Sequence, residues 1–141
     1  MRLEVTRRSD LAAKALLELA RTGERMKSPE LANCVGTTPG FLAQAMSPLV
    51  AEGWVRSIPG PNGGYVAVAD PNVLSVLDII EAVEGHTETG RCVLEDRHCA
   101  ASRDCALHEP WSLARSHLRN ELAATSLAML LNDHPVSKEK V

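Results

Sequence analysis

Three cysteines and a histidine in a polar stretch of this 141-residue chain are the residues whose types and spacing most directly imply chemistry. They follow the pattern Cys92-x6-Cys99-x5-Cys105-x2-His108. Thiolates that converge from an irregular segment select zinc, copper(I) or an iron–sulfur cluster. The spacing lacks the C-x2-C pairs usual in structural zinc sites, so it favours a cluster over zinc.

Three thiolates leave one coordination position of such a site open. From the residues alone, His108 is the nearest candidate, His98 beside Cys99 is the next, and a carboxylate from elsewhere is a further alternative. A ligand other than thiolate is easier to displace, which would suit a sensor. Cys34 is distant in the sequence, and we expect it to be an ordinary buried cysteine rather than a ligand.

Helices are predicted on both sides of the cysteine segment. A fourth helix is predicted over residues 74–84, with Leu74, Leu77 and Ile80, and by extension Val83, facing one way. A long last helix is predicted over residues 110–131. The last helix would span about 33 Å at 1.5 Å per residue and carries an apolar stripe at three-four spacing. Such a stripe needs a partner, and a second copy of the chain is the simplest one. We therefore expect a symmetric homodimer.

The first part of the chain predicts three helices. Ser9 is expected to cap a first helix that ends near Arg21, with Gly23 just beyond it. Ser28 and Thr38, each followed by proline, are expected to cap two further helices. A glycine turn separates the second helix from the third, which is typical of a helix-turn-helix.

Two segments rich in β-branched and aromatic residues follow, 54–58 and 65–68, on either side of a Gly- and Pro-rich loop. They predict a β-hairpin, the wing of a winged helix-turn-helix. The expected fold is therefore mainly α with a small β-hairpin wing and a long C-terminal dimerisation helix. The predicted regions of this one compact domain are 1–70 for DNA binding, 71–109 for a helix and the cluster-binding loop, 110–131 for dimerisation, and 132–141 as a flexible tail.

If this unit binds DNA, the start of the third helix should enter the major groove, where Gln44 can pair with adenine. No Lys or Arg lies between Lys27 and Arg56, so phosphate contacts must come from the ends of elements. Pro48 inside the third helix is expected to kink it or to end it early. The residues predicted to contact DNA are Arg2, Arg8, Lys27, Thr37, Thr38, Gly40, Gln44, Arg56, Asn62 and Gly63.

Several segments occur in an order typical of one known family. They are Ser-Asp-Leu-Ala at 9–12, Gly-Trp-Val-Arg-Ser at 53–57, Gly-Pro-Asn-Gly-Gly-Tyr at 60–65 and Asp-Ile-Ile-Glu-Ala-Val-Glu-Gly at 78–85. Three cysteines and a long helix follow them. From residue 1 to about 131 the chain resembles the Rrf2 family of winged-helix regulators, which includes IscR, NsrR and RirA.

The resemblance implies a homodimeric transcription regulator, most simply a repressor, whose binding to a palindromic operator on double-stranded DNA is set by an iron–sulfur cluster. The cluster, 2Fe-2S or 4Fe-4S, would be held by Cys92, Cys99 and Cys105 and would report nitric oxide, iron or redox state. An IscR-like site would take His108 as fourth ligand, and an NsrR-like site would take Asp10 of the partner subunit. On its own, Asp10 is explained by the dipole of the first helix, and both alternatives stay open.

Two departures from the family pattern concern DNA contacts and cluster type. Pro59 stands where relatives usually carry an arginine before the Gly-Pro of the wing, and six residues separate the first two cysteines where many relatives have five. The remaining alternatives are a thiol switch without iron and a zinc-stabilised module that binds protein. No nucleophile–base set or phosphate loop is recognisable, so we expect no enzyme.

Charge and composition restrict the partners. The formal net charge of −3 argues at first against a nucleic-acid-binding domain. Residues 1–70, however, hold 8 basic and 7 acidic side chains, whereas residues 71–141 hold 7 and 11. The acidity belongs to the second part, so the total does not exclude DNA binding. No apolar run approaches the roughly 20 residues that cross a bilayer, and we expect a cytoplasmic protein with no membrane partner.

Overall fold

The computed structural model describes residues 3–88, 90, 94 and 105–133. Within these residues, six helices and two strands confirm a mainly helical fold with one β-hairpin. In chain order they are α1 (Arg7–Thr22), α2 (Ser28–Val35), α3 (Pro39–Ala51), β1 (Val55–Ile58), β2 (Gly64–Ala67), α4 (Val76–Glu84), α5 (His108–Ala124) and α6 (Leu127–Asp133).

The start of α1 differs from the prediction, because Ser9 is not its cap. Thr6 is the N-cap, and its hydroxyl accepts the backbone N–H of Ser9 at 3.2 Å. Both residue types can cap a helix, but Ser9 is buried and its hydroxyl donates to the carboxylate of Glu84 on α4. The helix ends as predicted at Gly23, whose φ of 66° is left-handed.

Helices α2 and α3 begin differently, because only α3 has an N-cap side chain that accepts a hydrogen bond. Ser28 is already the first residue of α2, and Lys27 occupies the N-cap without a side-chain bond, so the predicted cap at Ser28 is wrong. Proline is tolerated throughout the first helical turn, which lets the helix begin one residue before Pro29. Thr38 caps α3 as predicted, since its hydroxyl accepts the N–H of Phe41 at 3.3 Å.

Pro48 lies inside α3 without ending it, because the helix continues to Ala51. Proline has no N–H, so it leaves the carbonyl of Gln44, four residues earlier, without its usual donor. The Arg8 guanidinium of α1 supplies one, with Nη2 3.3 Å from that carbonyl oxygen. A contact between two helices thus replaces the hydrogen bond that proline removes.

The wing is an antiparallel pair in which Val55 is opposite Ala67 and Ile58 is opposite Gly64. The other edge of β2 pairs with the segment between α1 and α2, where Met26 and Tyr65 exchange two N–H···O bonds of 2.9 Å. A Cβ on Gly64 would lie 2.1 Å from the carbonyl oxygen of Met26. Glycine at this position therefore allows the hairpin to dock on the helical part.

The start of α4 is set by a capping box between Ser75 and Asp78, so the helix begins two residues later than predicted. Its buried side chains are Ile79 and Ile80, whereas Leu77 is only half-buried. The predicted stripe is correct for Ile80 and wrong for Leu77. The reason is that α4 packs against both α1 and α3, which places the centre of its buried face at Ile79.

The single helix predicted over residues 110–131 is wrong. Helix α5 ends at Ala124, Thr125 is extended, and α6 then begins at Leu127. At the break the chain pairs with the segment before α4: Val76 donates to the carbonyl of Thr125 and Leu127 to that of Leu74, both at 2.9 Å. These two bonds, together with burial of the Leu127 side chain, outweigh the helical bonds that a continuous helix would make.

One hydrophobic core joins α6 to the winged helix-turn-helix. Side chains that are almost fully enclosed come from α1, α2, α3, β1, α4 and α6; the largest are Leu16, Leu19, Leu31, Leu42, Met46, Leu49, Ile79 and Leu127. Helix α6 continues to Asp133, so residues 132 and 133 of the predicted tail are helical. Residues 134–141 lie outside the described residues. In the part of the chain that is described, no helix is long and apolar enough to cross a membrane.

Candidate nucleic-acid interface and metal centre

The first two turns of α3 and the two residues before it present the residues predicted to reach bases. Thr38, Gly40 and Gln44 are exposed, and Thr37 is half-buried. The opposite side of the helix is fixed in the core by Leu42, Ala45, Met46 and Leu49. The buried side therefore determines which residues face outward.

Phe41 belongs to the same exposed surface and was missed by the sequence reasoning. It is the only phenylalanine of the chain, and 62% of it is exposed. It stands three positions before Gln44, so the two residues are neighbours on one face of α3. The sequence contained the information needed to predict its exposure, because a helix that buries Leu42 and Ala45 places residue 41 on its solvent-facing side.

Three of the predicted cationic contacts are exposed, and one of them touches α3. Arg8 is exposed and bonds to the Gln44 carbonyl, so it lies directly beside the exposed face of α3. Lys27 is exposed at the start of α2, next to the strand residue Gly64. Arg56 is exposed on β1. Arg2 lies outside the described residues.

The two residues at the tip of the wing that were predicted to contact DNA have different roles. Asn62 is exposed and can reach a ligand, whereas Gly63 is buried and donates its N–H to the Gly60 carbonyl at 2.9 Å. A Cβ on Gly63 would lie 2.0 Å from the carbonyl oxygen of Ile58. Gly63 thus shapes the turn that presents Asn62. Pro59, which stands in the place of the family arginine, is exposed before this turn.

Of the predicted metal ligands next to α5, the structure describes Cys105 and His108. Cys105 is half-buried, His108 is exposed, and the His108 N–H donates to the Cys105 carbonyl at 3.1 Å. One turn of backbone therefore separates a thiol from an imidazole, a donor pair that suits zinc or an iron–sulfur cluster. Cys92 and Cys99 lie outside the described residues, as does His98.

Asp10, the other candidate ligand, lies in the first turn of α1. Its carboxylate accepts from Lys14 Nζ at 2.8 Å, and both side chains are largely exposed. Among the residues that the structure describes, no three His, Cys, Asp or Glu side chains are arranged to hold a metal ion. Cys34 is exposed, so its predicted burial is wrong: α2 buries Leu31 and Ala32, and Cys34 faces away from them.

A polar network ties the start of the cysteine segment to α5. Thr87 Oγ donates to Glu81 Oε1 at 2.7 Å, and Arg119 Nε donates to the Thr87 hydroxyl at the same distance. Arg119 Nη2 and His86 Nδ1 lie 3.5 and 3.2 Å from the Glu81 carboxylate. The Thr87 hydroxyl and these neighbours hold the pKa of Glu81 below its ordinary value, although burial opposes them.

A second arginine of α5 extends this attachment. Arg115 Nη2 lies 2.9 Å from the carboxylate of Glu88, one residue beyond Thr87. Its Nε is enclosed and has no hydrogen-bond partner among the described residues. Two guanidinium groups, one turn apart on α5, therefore hold Thr87 and Glu88 through charged hydrogen bonds.

Comparison with known proteins agrees with this architecture. The sequence pattern of the Rrf2 family, described as an iron-dependent transcriptional regulator, matches residues 5–133. The transcriptional regulator IscR of Vibrio vulnificus (strain YJ016) is 26% identical over 136 residues, covering 95% of this chain and 80% of IscR.

Solved structures give the same result. The structure of CymR from B. subtilis, described as the global cysteine regulator, superposes with a TM-score of 0.76 and is 28% identical, covering 94% of this chain and 98% of CymR. IscR of T. potens superposes with a TM-score of 0.74 at 22% identity, covering 93% and 88%. At that identity, the second structure supports the fold alone.

Proposed function

The chain belongs to the Rrf2 family of transcription regulators, and from this premise we propose a homodimeric regulator, most simply a repressor, controlled by an iron–sulfur cluster. Members of the family regulate transcription by binding DNA and are not enzymes. Because chromosomal DNA is the target, we place the protein in the cytoplasm. The observation that supports the proposal most is the exposed first half of α3, fixed by the core on its other side and with the Arg8 guanidinium bonded to its Gln44 carbonyl.

This surface is suited to double-stranded DNA. The outward side chains of α3 would enter the major groove, the guanidinium and ammonium groups around it would meet phosphates, and Asn62 on the wing would reach the neighbouring groove. The affinity is expected to fall steeply with salt, because each phosphate contact releases counterions. Binding that does not change with salt would contradict the proposal.

A second copy of the chain is the partner that α5 is suited to. None of its 17 residues is buried, although Leu113 and Leu118 are exposed apolar side chains on it. A two-fold dimer through this helix would cover them and would place two copies of α3 on one duplex, which requires an operator with two-fold symmetry.

Cys92, Cys99 and Cys105 are the residues that we propose hold the cluster, with His108 or the Asp10 of the partner subunit as the fourth ligand. When bound, the cluster would supply sensitivity to nitric oxide, iron or redox state. The thiol–imidazole pair at the start of α5 fits this donor set. Cys105 would contribute a thiolate, and His108 would contribute a neutral imidazole that can leave more easily than a thiolate.

A continuous set of contacts could carry a change at the cysteine segment to DNA. That segment follows α4, and Glu84 near the end of α4 accepts from Ser9 of α1. The preceding residue of α1, Arg8, bonds to the Gln44 carbonyl of α3. Movement of α4 would therefore displace the first turn of α1, which contains Asp10, and with it the exposed face of α3.

Anaerobic purification tests the cofactor. We expect a coloured protein with iron and acid-labile sulfide, and loss of both in Cys105→Ser. Cys34→Ser is the matched control, because Cys34 is exposed on α2 outside the cysteine motif, and it should leave the spectrum unchanged. A colourless wild-type protein without iron or sulfide would contradict the cluster, and stoichiometric zinc would favour the zinc-stabilised module.

The fourth ligand is tested by comparing Asp10→Ala with His108→Ala. We expect one of them to alter the absorption spectrum and shorten the lifetime of the cluster in air, while the other leaves both as in the wild type. If neither changes them, the fourth ligand lies elsewhere.

A thiol switch without iron is the second candidate, and the similarity to CymR, described as a global cysteine regulator, favours it. Here oxidation of two thiols among Cys92, Cys99 and Cys105 would form a disulfide and change operator affinity. Mass spectrometry of the iron-free, oxidised protein would detect the bond. Operator binding that responds to oxidation in the iron-free protein would support this candidate over the cluster.

A further inference from the structure

Helix α3 would read DNA without a charged side chain. None of its 13 residues is Asp, Glu, Lys or Arg. The commonest specific contact to guanine uses Arg or Lys, and the usual contact to cytosine uses Asp or Glu. Neither is present on this helix. Its outward residues instead include an amide and an apolar ring, which are the groups that recognise adenine and the thymine methyl.

Phe41 is the residue of this surface that the fold does not explain. The core is completed by its neighbour Leu42, which is fully buried, while the Phe41 ring remains in solvent. The backbone that carries the ring is fixed, because the Phe41 N–H donates to the Thr38 hydroxyl that caps the helix. An exposed aromatic ring on the first turn of a recognition helix is placed to meet a base edge.

Gln44 lies beside Phe41 and adds an amide that can recognise a particular base. It is exposed one turn further along the same face, so an amide and an apolar ring are presented side by side. The Arg8 guanidinium at the Gln44 carbonyl adds positive charge at this point, close enough to α3 for a phosphate contact to bring this face against the bases.

We propose that Phe41 is a specificity-determining residue that contacts the C5-methyl group of a thymine, while Gln44 bonds the adenine of the same or the adjacent pair. This inference rests on the proposed binding of double-stranded DNA and gives it a base preference. Each half-site of the operator would then contain an A·T pair that is recognised through a methyl group rather than through a charged hydrogen bond.

Replacement of thymine by deoxyuridine tests the contact, because it removes the methyl group and leaves the base pairing intact. A binding sequence is first selected from a random double-stranded library with the full-length wild-type protein. Each thymine of one half-site is then replaced in turn. We expect one replacement to weaken wild-type binding about fivefold or more. Phe41→Ala should bind that deoxyuridine duplex and the unmodified thymine duplex with equal affinity.

Two control variants test whether the sensitivity to deoxyuridine depends on the side chain of Phe41. Ser47→Ala changes another exposed residue of α3 and should keep the sensitivity to deoxyuridine. Phe41→Leu keeps an apolar side chain and should retain most of it. Urea unfolding should give the same midpoint for Phe41→Ala as for the wild type, because the ring is exposed.

The outcomes separate this inference from the proposed function. If no sequence is enriched and no salt-dependent binding occurs, binding of DNA itself fails. If the wild type binds a selected sequence but every deoxyuridine changes affinity less than twofold, the contact of Phe41 with thymine is wrong. It is equally wrong if Phe41→Ala loses the same affinity for thymine and deoxyuridine duplexes.

Discussion

Different forces stabilise the winged end of the molecule (α1 to β2) and the cysteine end (residues 86–88 and α5). Helix α3 places four side chains in the core, whereas α5 buries none. The cysteine segment is attached to α5 by charged hydrogen bonds of Arg115 and Arg119. Close-packed apolar interiors respond strongly to small changes of volume, and polar attachments respond to charge. A chemical change at the cysteine end can therefore alter contacts there while the winged end stays folded.

The largest expected effect is a cavity in the winged end. Leu42→Ala removes a fully buried side chain, and we expect it to lower the free energy of unfolding by about 2–5 kcal/mol. Val73→Ala, at an exposed position, should change it by less than about 0.5 kcal/mol. Urea denaturation measures both. Equal losses would mean that the core does not dominate the stability of this end.

Two glycine substitutions, one in the wing and one on α3, should change stability in opposite directions. Gly63→Ala would bring a Cβ within 2.0 Å of the Ile58 carbonyl oxygen, so we expect a loss of about 1–3 kcal/mol. Gly40→Ala lies in open space on α3 and should stabilise the protein by about 0.5–1 kcal/mol, because alanine favours helix. Thermal unfolding of the two variants checks the signs, and a destabilised Gly40→Ala would contradict the described helix.

At the cysteine end, removal of one guanidinium should act locally. Arg119→Ala removes the donors to Thr87 and Glu81, and we expect a loss of about 1 kcal/mol. Hydrogen exchange should quicken at the Thr87 amide, which donates to Glu81, and stay unchanged at α3. Arg25→Ala, at an exposed position, is the control. Faster exchange throughout α3 would mean that the two ends unfold together.

The smallest effect is expected from pH. The lowered pKa of Glu81 means that its carboxylate stabilises the fold above the ordinary value of 4.5. This contribution is lost as the pH falls below 4.5 and through the lowered pKa. The difference in unfolding free energy between the wild type and Glu81→Gln should therefore shrink on acidification. A difference that stays constant between about pH 6 and pH 3 would show that ionised Glu81 contributes nothing.

The features that were predicted correctly depend on local chemistry. The cap at Thr38, the end of α1 at Gly23 and the hairpin around Gly63 each involve only a few consecutive residues. The resemblance to a known family was carried by segments of the same kind. The error of three residues at the start of α1 arose because Thr6 and Ser9, three positions apart, have the same capping chemistry.

The features that were missed depend on contacts between distant segments. No glycine or proline marks the break near Thr125; the only local signal is Ser126, whose hydroxyl accepts the N–H of Met129 at the start of α6. The break also depends on the pairing of residues 125–127 with the segment before α4. Similarly, Pro48 is accommodated by Arg8, 40 positions away. The exposure of Cys34 follows from the side of α2 that faces the core. The ligand set of the cysteine segment remains a prediction, because two of its thiols lie outside the described residues.

The contact between Arg8 and Gln44 also decides how much charge the first helix can offer a partner. Lys14 and Arg21 of α1 donate to carboxylates, which neutralise them. Arg8 donates to an uncharged carbonyl oxygen, and no carboxylate of residues 3–88, 90, 94 and 105–133 forms a salt bridge with it. A guanidinium has five N–H donors, and the others can bind a phosphate at the same time. Pro48 thus leaves the Gln44 carbonyl free to accept, and this uncharged carbonyl orients the Arg8 guanidinium without cancelling its positive charge. That charge matters in a chain whose net charge is −3.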